Sequence, residues 1–181
     1  MKELKDQIKI LEEQKLNNER KEGLQNLYQD ERKKYLKAYN DLLDTEKNPL
    51  LDLAKPENTE VVIQSLKYWE GKRLMNYAFC IMSNHVHWAF ELNKSDEEDN
   101  PVYLQDVLQS VKRYSAKMIN KFEKRQGSLW QKESYDTTIR DDRHLINAIV
   151  YILNNPVKAG LVKEWKEWPG TWCADEFGNS F

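Results

Sequence analysis

Two apolar segments separated by a short polar turn constrain the fold of this 181-residue chain more than any other feature. Residues 74–82 (LMNYAFCIM) and 86–92 (VHWAFEL) are apolar and aromatic, and Ser83 and Asn84 between them favour a turn. The pattern predicts two β-strands that pair back as an antiparallel hairpin. Helical periodicity before and after it predicts that several helices accompany this hairpin.

Apolar residues at three- and four-residue steps within charged sequence predict an N-terminal helical segment over residues 1–47. A linker follows at 48–56, so the predicted boundary places a second domain at 48–181. Helices are expected there at about 57–69, 101–124 and 141–154, the last with Asp141 or Asp142 near its N-cap and its end before Pro156. Residues 128–140 are predicted as a loop running into a short strand, and the tryptophan-rich tail as a wrap around the core.

The composition excludes several classes of protein. The two cysteines belong to no C-x-x-C pair, so a disulfide framework is not expected. The first fourteen residues are charged throughout and lack the apolar core of a signal peptide. No apolar run approaches the ~18 residues of a membrane span. We therefore expect a cytoplasmic protein without a membrane partner.

The histidine pair is the most informative polar motif. In an extended segment His85 and His87 point to one face and Val86 to the other, which brings two imidazoles together at a strand end. Such a pair can hold a metal ion, although ordinary packing explains many H-x-H sequences. Zinc would need further ligands, for which Cys80 and His144 are candidates. Mg²⁺ or Mn²⁺ would need an oxygen ligand.

A second motif closes the last predicted helix. Tyr151 and Asn155 are four residues apart, so they share a helix face and can approach the same point. Asn155 can offer a carbonyl oxygen to a metal, and Tyr151 can offer a phenolate. Core packing of the tyrosine and a turn role for an asparagine before proline are the plainer alternatives.

Three blocks in order resemble the REP-associated tyrosine transposases, which belong to the His–hydrophobic–His, single-tyrosine superfamily. They are CIMSNHVH (80–87), LWQKESYD (129–136) with IRD (139–141), and YILNNPVKAGLV (151–162). The resemblance covers roughly residues 50–172. It implies a ferredoxin-like α+β domain, an antiparallel sheet with helices on one face.

The resemblance also implies a reaction and its residues. Such proteins nick or join single-stranded DNA, often recognised as a hairpin, through a covalent 5′-phosphotyrosine. Matched by motif, His85 and His87 are metal ligands for Mg²⁺ or Mn²⁺, Asn155 is the third ligand, and Tyr151 is the nucleophile. Relatives usually open with an apolar strand in the middle of the sheet. Nothing before Leu50 resembles it, so either the chain is truncated or another segment replaces that strand.

A basic region supports a DNA partner. Residues 112–140 contain eight basic and three acidic side chains within a chain of net charge −2. Phosphate contacts would use such a patch, and Trp130 and Tyr135 would stack on unpaired bases. A solvated helix face with a buried tryptophan is the alternative. The residues expected to contact DNA are Lys112, Arg113, Lys117, Lys121, Trp130, Gln131, Tyr135 and Arg140.

Two other functions stay open at this stage. One is an inactive or domesticated relative that binds DNA hairpins without cutting them. The other is a zinc-stabilised helical module for protein contacts, in which residues 1–47 pair between chains as a homodimer.

Overall fold

The computed structural model describes residues 50–178 and, before them, residues 21, 23–24, 27–28, 30–31, 34–35, 38–39 and 42–43. Contacts divide the chain into two compact units, residues 1–45 and 46–181. In the first unit the described residues from 21 to 43 are helical, while the predicted stripe of Leu4, Ile8 and Leu11 lies outside the described residues. Among the described residues, no helix is both long enough and apolar enough to cross a membrane.

The second unit combines three long helices with a small sheet. Its α-helices and strands are, in chain order, α1 (Pro56–Lys67), β1 (Leu74–Ile81), β2 (Val86–Leu92), α2 (Leu104–Phe122), α3 (Asp142–Lys158), β3 (Thr171–Cys173) and α4 (Asp175–Gly178). A short 3-10 helix, Trp165–Glu167, lies between α3 and β3. The strands form an antiparallel sheet in the order β2-β1-β3, which confirms the α+β class and the hairpin. Within the part of the chain that the structure describes, β2 has a strand partner on one edge only.

Helices cover both faces of the sheet, where the resemblance implied helices on one face. Phe79 and Ile81 of β1 belong to one buried cluster with side chains of α1 and α2. Ala78 and Cys80 belong to another, with Ile149, Ile152 and Leu153 of α3. Alternate β1 residues point to opposite faces, so both faces of this central strand are apolar and need a cover.

The third strand comes from the C-terminal tail and not from residues 128–140, which contain no strand. Thr171–Cys173 pairs with Ala78–Cys80, and the indole of Trp168 donates to the carbonyl of Ile81 at 2.8 Å. The predicted short strand was therefore wrong, and the tryptophan-rich tail supplies it instead. The tail fixes the end of β1, immediately before the turn that carries His85.

The last helix runs past Pro156, where the sequence predicted its end. Asp141 caps its first turn by accepting from the backbone N–H of His144 at 2.8 Å, as expected. At the other end Pro156 is fully buried, and the N–H of Ala159 still bonds the carbonyl of Asn155 at 2.9 Å. Burial of the proline ring offsets the backbone hydrogen bond that it removes. The continued helix keeps Asn155 on the same face as Tyr151.

A substitution at Gly170 tests how the C-terminal tail packs against the end of β1. A Cβ built on it would lie 2.6 Å from the carbonyl oxygen of Ile81. We expect Gly170→Ala to lower the free energy of unfolding by about 1–3 kcal/mol, because backbone must move to admit the methyl group. Urea unfolding measures the change. Gly178→Ala is the matched control, since nothing lies within 4 Å of its built Cβ, and an equal loss in both variants would contradict the close-approach argument.

Candidate active site

The two histidines of the motif meet at the start of β2. His87 pairs with Cys80 across the hairpin, which turns its imidazole toward the face covered by α3. His85 is buried, and its Nε2 lies 3.0 Å from Nε2 of His87. The rings are nearly perpendicular, with centroids 4.6 Å apart. The same-face arrangement expected from their spacing is therefore present.

The helix α3 brings the tyrosine and the asparagine to the same place. The ring of Tyr151 packs edge-on against His87, with centroids 5.3 Å apart, and the residue is 40% exposed. Asn155 is buried, and its Nδ2 donates to the backbone carbonyl of Tyr151 at 2.7 Å. Among the described residues its Oδ1 is buried without a hydrogen bond of ordinary geometry, although the amide lies close enough to the His87 ring to act on its pKa. One turn of helix thus joins an accessible phenol to a buried amide oxygen.

The protein environment keeps the imidazole of His87 neutral. Burial of the ring, followed by the nearby His85 and the ammonium of Lys158, lowers its pKa to about 3, against a smaller opposing effect of Asn155. A neutral imidazole has a lone pair that can bind a metal ion. The site therefore holds its histidine in the form that a ligand requires.

These donors fit one divalent ion. Two nitrogens about 2.1 Å from an ion in neighbouring octahedral positions are about 3.0 Å apart, and about 3.4 Å in tetrahedral ones. The observed separation of 3.0 Å equals the octahedral spacing and is also the length of an N–H···N hydrogen bond between the two rings. The Asn155 oxygen has no hydrogen bond of ordinary geometry among the described residues, so it keeps a lone pair that a cation could use. The amide oxygen is the kind of ligand that Mg²⁺ and Mn²⁺ take, while the two imidazoles are ligands common to the transition metals.

The zinc alternative receives no support from the described residues. They contain no group of three or more His, Cys, Asp or Glu side chains that could hold a metal. Cys80 contacts the sulfur of Met82 at 3.6 Å, within the apolar cluster beneath α3. His144 lies in the first turn of α3, near the end opposite Asn155. Neither residue completes a zinc site with the histidine pair.

Four of the residues expected to bind DNA line one groove. It lies between α2 and residues 128–136 and has a volume of about 580 Å³. Lys112 and Arg113 line it from the helix, and Trp130 and Gln131 from the opposite segment. Lys112 donates to the carbonyls of Gln131, Lys132 and Glu133 at 2.9–3.4 Å, and burial lowers its pKa. Its ammonium therefore ties the two walls together.

The predicted DNA contacts also differ in how far they are exposed. Trp130 is half-buried, packs against the α1–α2 cluster and donates to Ser115 Oγ at 2.8 Å. Lys117 and Lys121 are exposed on α2. Tyr135 and Arg140 are exposed in the irregular segment before α3. Their contacts with DNA stay predictions.

The groove and the histidine pair lie on opposite faces of the sheet. The α2 helix belongs to the cluster that contains Phe79 and Ile81. The α3 helix, with Tyr151, covers the face of Cys80 and His87. The structure therefore brings together the four predicted catalytic and metal residues, and separately gathers Lys112, Arg113, Trp130 and Gln131, but it does not join the two groups.

Comparison with curated proteins gives one match that bears on this arrangement. The chain is 32% identical over 97 residues to a Haemophilus influenzae protein named "Putative REP-associated tyrosine transposase". The chain is thus similar to a transposase. The aligned region is 51% of this chain, and the chain spans about half, 54%, of the relative's length. No protein-family model matches the chain, and no solved structure matches it significantly. The match confirms the resemblance that the three sequence blocks predicted.

Two residues near the candidate site were not among the sequence candidates. Asn84 was interpreted only as a turn residue, yet its Oδ1 lies 2.7 Å from Nδ1 of His85. Lys158 lies close enough to His87 to influence its pKa. Both had a signal in the sequence: Asn84 directly precedes the first histidine, and Lys158 follows Asn155 by three residues on the helix face shared with Tyr151.

The lowered pKa of His87 predicts how stability depends on pH. An unfolded histidine titrates near 6.5, so the unfolded state binds one more proton than the folded state between pH 6.5 and about 3. Stability of the metal-free protein should therefore be present above pH 6.5 and be lost as the pH falls, by up to about 1.4 kcal/mol per pH unit from this group.

Urea unfolding in chelator at pH 7, 6 and 5 tests this for the unmodified chain, His87→Gln and His144→Gln. The slope against pH should flatten in His87→Gln and persist in His144→Gln, which removes a histidine outside the site. An unchanged slope in His87→Gln would mean that His87 is not held neutral.

Proposed function

We propose that this chain is a metal-dependent, transposase-type DNA strand transferase that cleaves and rejoins single-stranded, hairpin-forming DNA through a covalent phosphotyrosine at Tyr151. The observation that carries the proposal is the convergence of His85 and His87 from β2 with Tyr151 and Asn155 from α3. The similarity to the Haemophilus influenzae transposase over half of the chain supports the same conclusion.

The proposed ion is Mg²⁺ or Mn²⁺, held by His85, His87 and the Oδ1 of Asn155. When bound, it would supply positive charge that grips a phosphate oxygen and offsets the negative charge developing on it. The chain's own contribution is to orient the ligands. Asn155 uses its Nδ2 to donate to the carbonyl of Tyr151 at 2.7 Å, and this bond leaves its oxygen for another partner.

Tyr151 is the proposed nucleophile because it is the phenol packed against the histidine pair and is 40% exposed. Its oxygen would form a bond to the scissile phosphorus while the bond from phosphorus to the 3′ oxygen breaks. The phenol proton passes to solvent, and the departing oxygen takes a proton to become a 3′ hydroxyl. The phosphate ester on Tyr151 conserves the bond energy, so the reverse step rejoins DNA without a nucleotide cofactor.

Binding of hairpin DNA without cleavage is the second candidate. The observation that favours it is the separation of the basic groove at Lys112 and Arg113 from Tyr151 by the thickness of the sheet. A hairpin stem seated in that groove would need an unpaired strand that passes around the sheet edge to reach the phenol. The two candidates predict the same binding and differ only in the covalent adduct.

The metal is tested by calorimetric titration with Mn²⁺. We expect His85→Ala combined with His87→Ala to abolish binding, because both nitrogen donors are removed, while circular dichroism shows that the fold is kept. His144→Ala is the control and should bind as the unmodified chain does. Equal Mn²⁺ affinity in the double variant and the unmodified chain would place the metal elsewhere.

The nucleophile is tested by trapping the adduct. A labelled single-stranded hairpin is mixed with protein and Mg²⁺ or Mn²⁺, and the products are separated on a denaturing gel. We expect a protein–DNA adduct on a 5′-phosphate with the unmodified chain and Tyr135→Phe, and a loss of at least about 100-fold with Tyr151→Phe, because no other group can replace the attacking oxygen. An adduct that survives in Tyr151→Phe assigns the chemistry to another residue. No adduct with the unmodified chain supports binding alone.

The basic helix is tested by the salt dependence of DNA binding. Lys117→Glu with Lys121→Glu should weaken hairpin binding and flatten the slope of log K against log salt, by about 0.7–0.9 for each phosphate that the protein no longer neutralises. Lys94→Glu with Lys163→Glu makes the same change of net charge at lysines off α2 and controls for long-range effects. If both pairs change the slope equally, α2 makes no specific contact.

A further inference from the structure

Asn84 lies in the turn between β1 and β2, and its side chain contacts the ring of His85. Its Oδ1 is 2.7 Å from Nδ1 of His85, while the other ring nitrogen of His85 faces His87 at 3.0 Å. Both nitrogens of this buried imidazole are therefore engaged. The sequence gives Asn84 only a turn preference, and the proposed reaction has no role for it.

The chemistry of the amide fixes the state of the ring. A carbonyl oxygen can only accept, so Nδ1 of His85 must carry the proton that lies between them. In neutral imidazole the other nitrogen then has the lone pair. The contact with Asn84 thus turns the lone pair of His85 toward His87, where the ligand position is. The opposite tautomer would place an N–H there and block a cation.

We propose that Asn84 is a positioning residue that selects the Nδ1–H tautomer of His85 and so prepares its Nε2 as a metal ligand. The proposal rests on the metal site proposed above. Partners on the remote nitrogen of a ligating histidine fix its orientation and typically account for about 10- to 100-fold in metal affinity. Asn84 provides that partner from the residue next to the ligand.

Backbone hydrogen bonds hold the turn at both sides of Asn84. The backbone N–H of Met82 donates to the carbonyl of His85 at 2.9 Å, which closes the turn. The N–H of Leu53 donates to the carbonyl of Ser83 at 2.8 Å and holds it from outside. These backbone bonds do not involve the Asn84 side chain, and circular dichroism of each Asn84 variant checks that the hairpin stays folded.

Three variants separate the roles of the side chain. Asn84→Asp keeps an oxygen acceptor, and its carboxylate cannot donate. Asn84→Leu has similar volume and no acceptor. Asn93→Leu is the matched control, since Asn93 directly follows β2 and donates to the carbonyl of Lys72 at 3.1 Å, so it loses one side-chain hydrogen bond at the far end of the same strand.

The first measurement needs no metal. Nitrogen-15 NMR of the ring nitrogens at pH 8 in chelator reports the tautomer, and three histidines make assignment direct. His85 should be the Nδ1–H tautomer in the unmodified chain, Asn84→Asp and Asn93→Leu, and should shift toward Nε2–H in Asn84→Leu. An Nε2–H tautomer in the unmodified chain, or an unchanged tautomer in Asn84→Leu, overturns the proposal.

The second measurement is Mn²⁺ titration of the same chains. Asn84→Leu should bind about 10- to 100-fold more weakly, Asn84→Asp within about threefold of the unmodified chain, and Asn93→Leu unchanged. Equal affinity of Asn84→Leu and the unmodified chain overturns the role in metal binding. If the unmodified chain binds no Mn²⁺, the proposed metal site fails, and the tautomer measurement alone decides whether Asn84 sets the state of His85.

Discussion

The register of the β1–β2 hairpin is the constraint on which the candidate site depends. Cys80 opposite His87 and Ile81 opposite Val86 place the histidines on the face that α3 covers and Val86 on the face of α1 and α2. A slip of one residue would exchange the two faces and bury valine beneath Tyr151. Two apolar faces make the slip costly, because each cluster would then receive the wrong side chains. Core packing and site geometry are therefore set by the same pairing.

The irregularity in this register lies away from the histidines. Tyr77 is an extra residue of β1, where the pairing passes from Asn76 opposite Phe90 to Ala78 opposite Ala89. Asn76 accepts from the indole of Trp88 on the α1–α2 side, and Tyr77 packs on the α3 side. After this bulge the pairing is regular as far as Val86. The regular half of the hairpin is the half that carries the site.

The sequence predicted a helix or strand well where the signal comes from residues next to one another in the chain. The bounds of β2 and the cap at Asp141 agree with the sequence, since alternation and capping are encoded by neighbouring residues. The helix through Pro156 and the strand at Thr171–Cys173 were missed because each depends on distant partners. Pro156 is stabilised by burial, and Thr171–Cys173 pairs with a strand from much earlier in the chain, which no local pattern reports.

The candidate site shows the same difference between contacts that neighbouring residues encode and contacts between distant parts of the chain. Spacing placed His85 with His87 and Tyr151 with Asn155, because the members of each pair are close neighbours in the sequence. The meeting of the pairs is tertiary, and only the resemblance to a family predicted it. The Asn84 contact was missed because a turn residue is the commonest explanation for asparagine between two strands.

The buried Asn155 oxygen, next to His87 and Tyr151, is the polar group of the site that core packing explains least. An acceptor buried without a donor costs about 1–3 kcal/mol, and the described residues contain several, among them Oδ1 of Asn58 and Asn120. Asn155 differs from these because its neighbours are an imidazole held neutral and a phenol open to solvent. Stability alone would favour an apolar side chain under this end of α3, as it does at Ile152 nearby on the same helix. Proteins tolerate destabilising groups where function requires them, and here several such groups lie at one location. The proposed cation between the two imidazoles and the amide oxygen would give these groups the partner that core packing at this end of α3 does not provide.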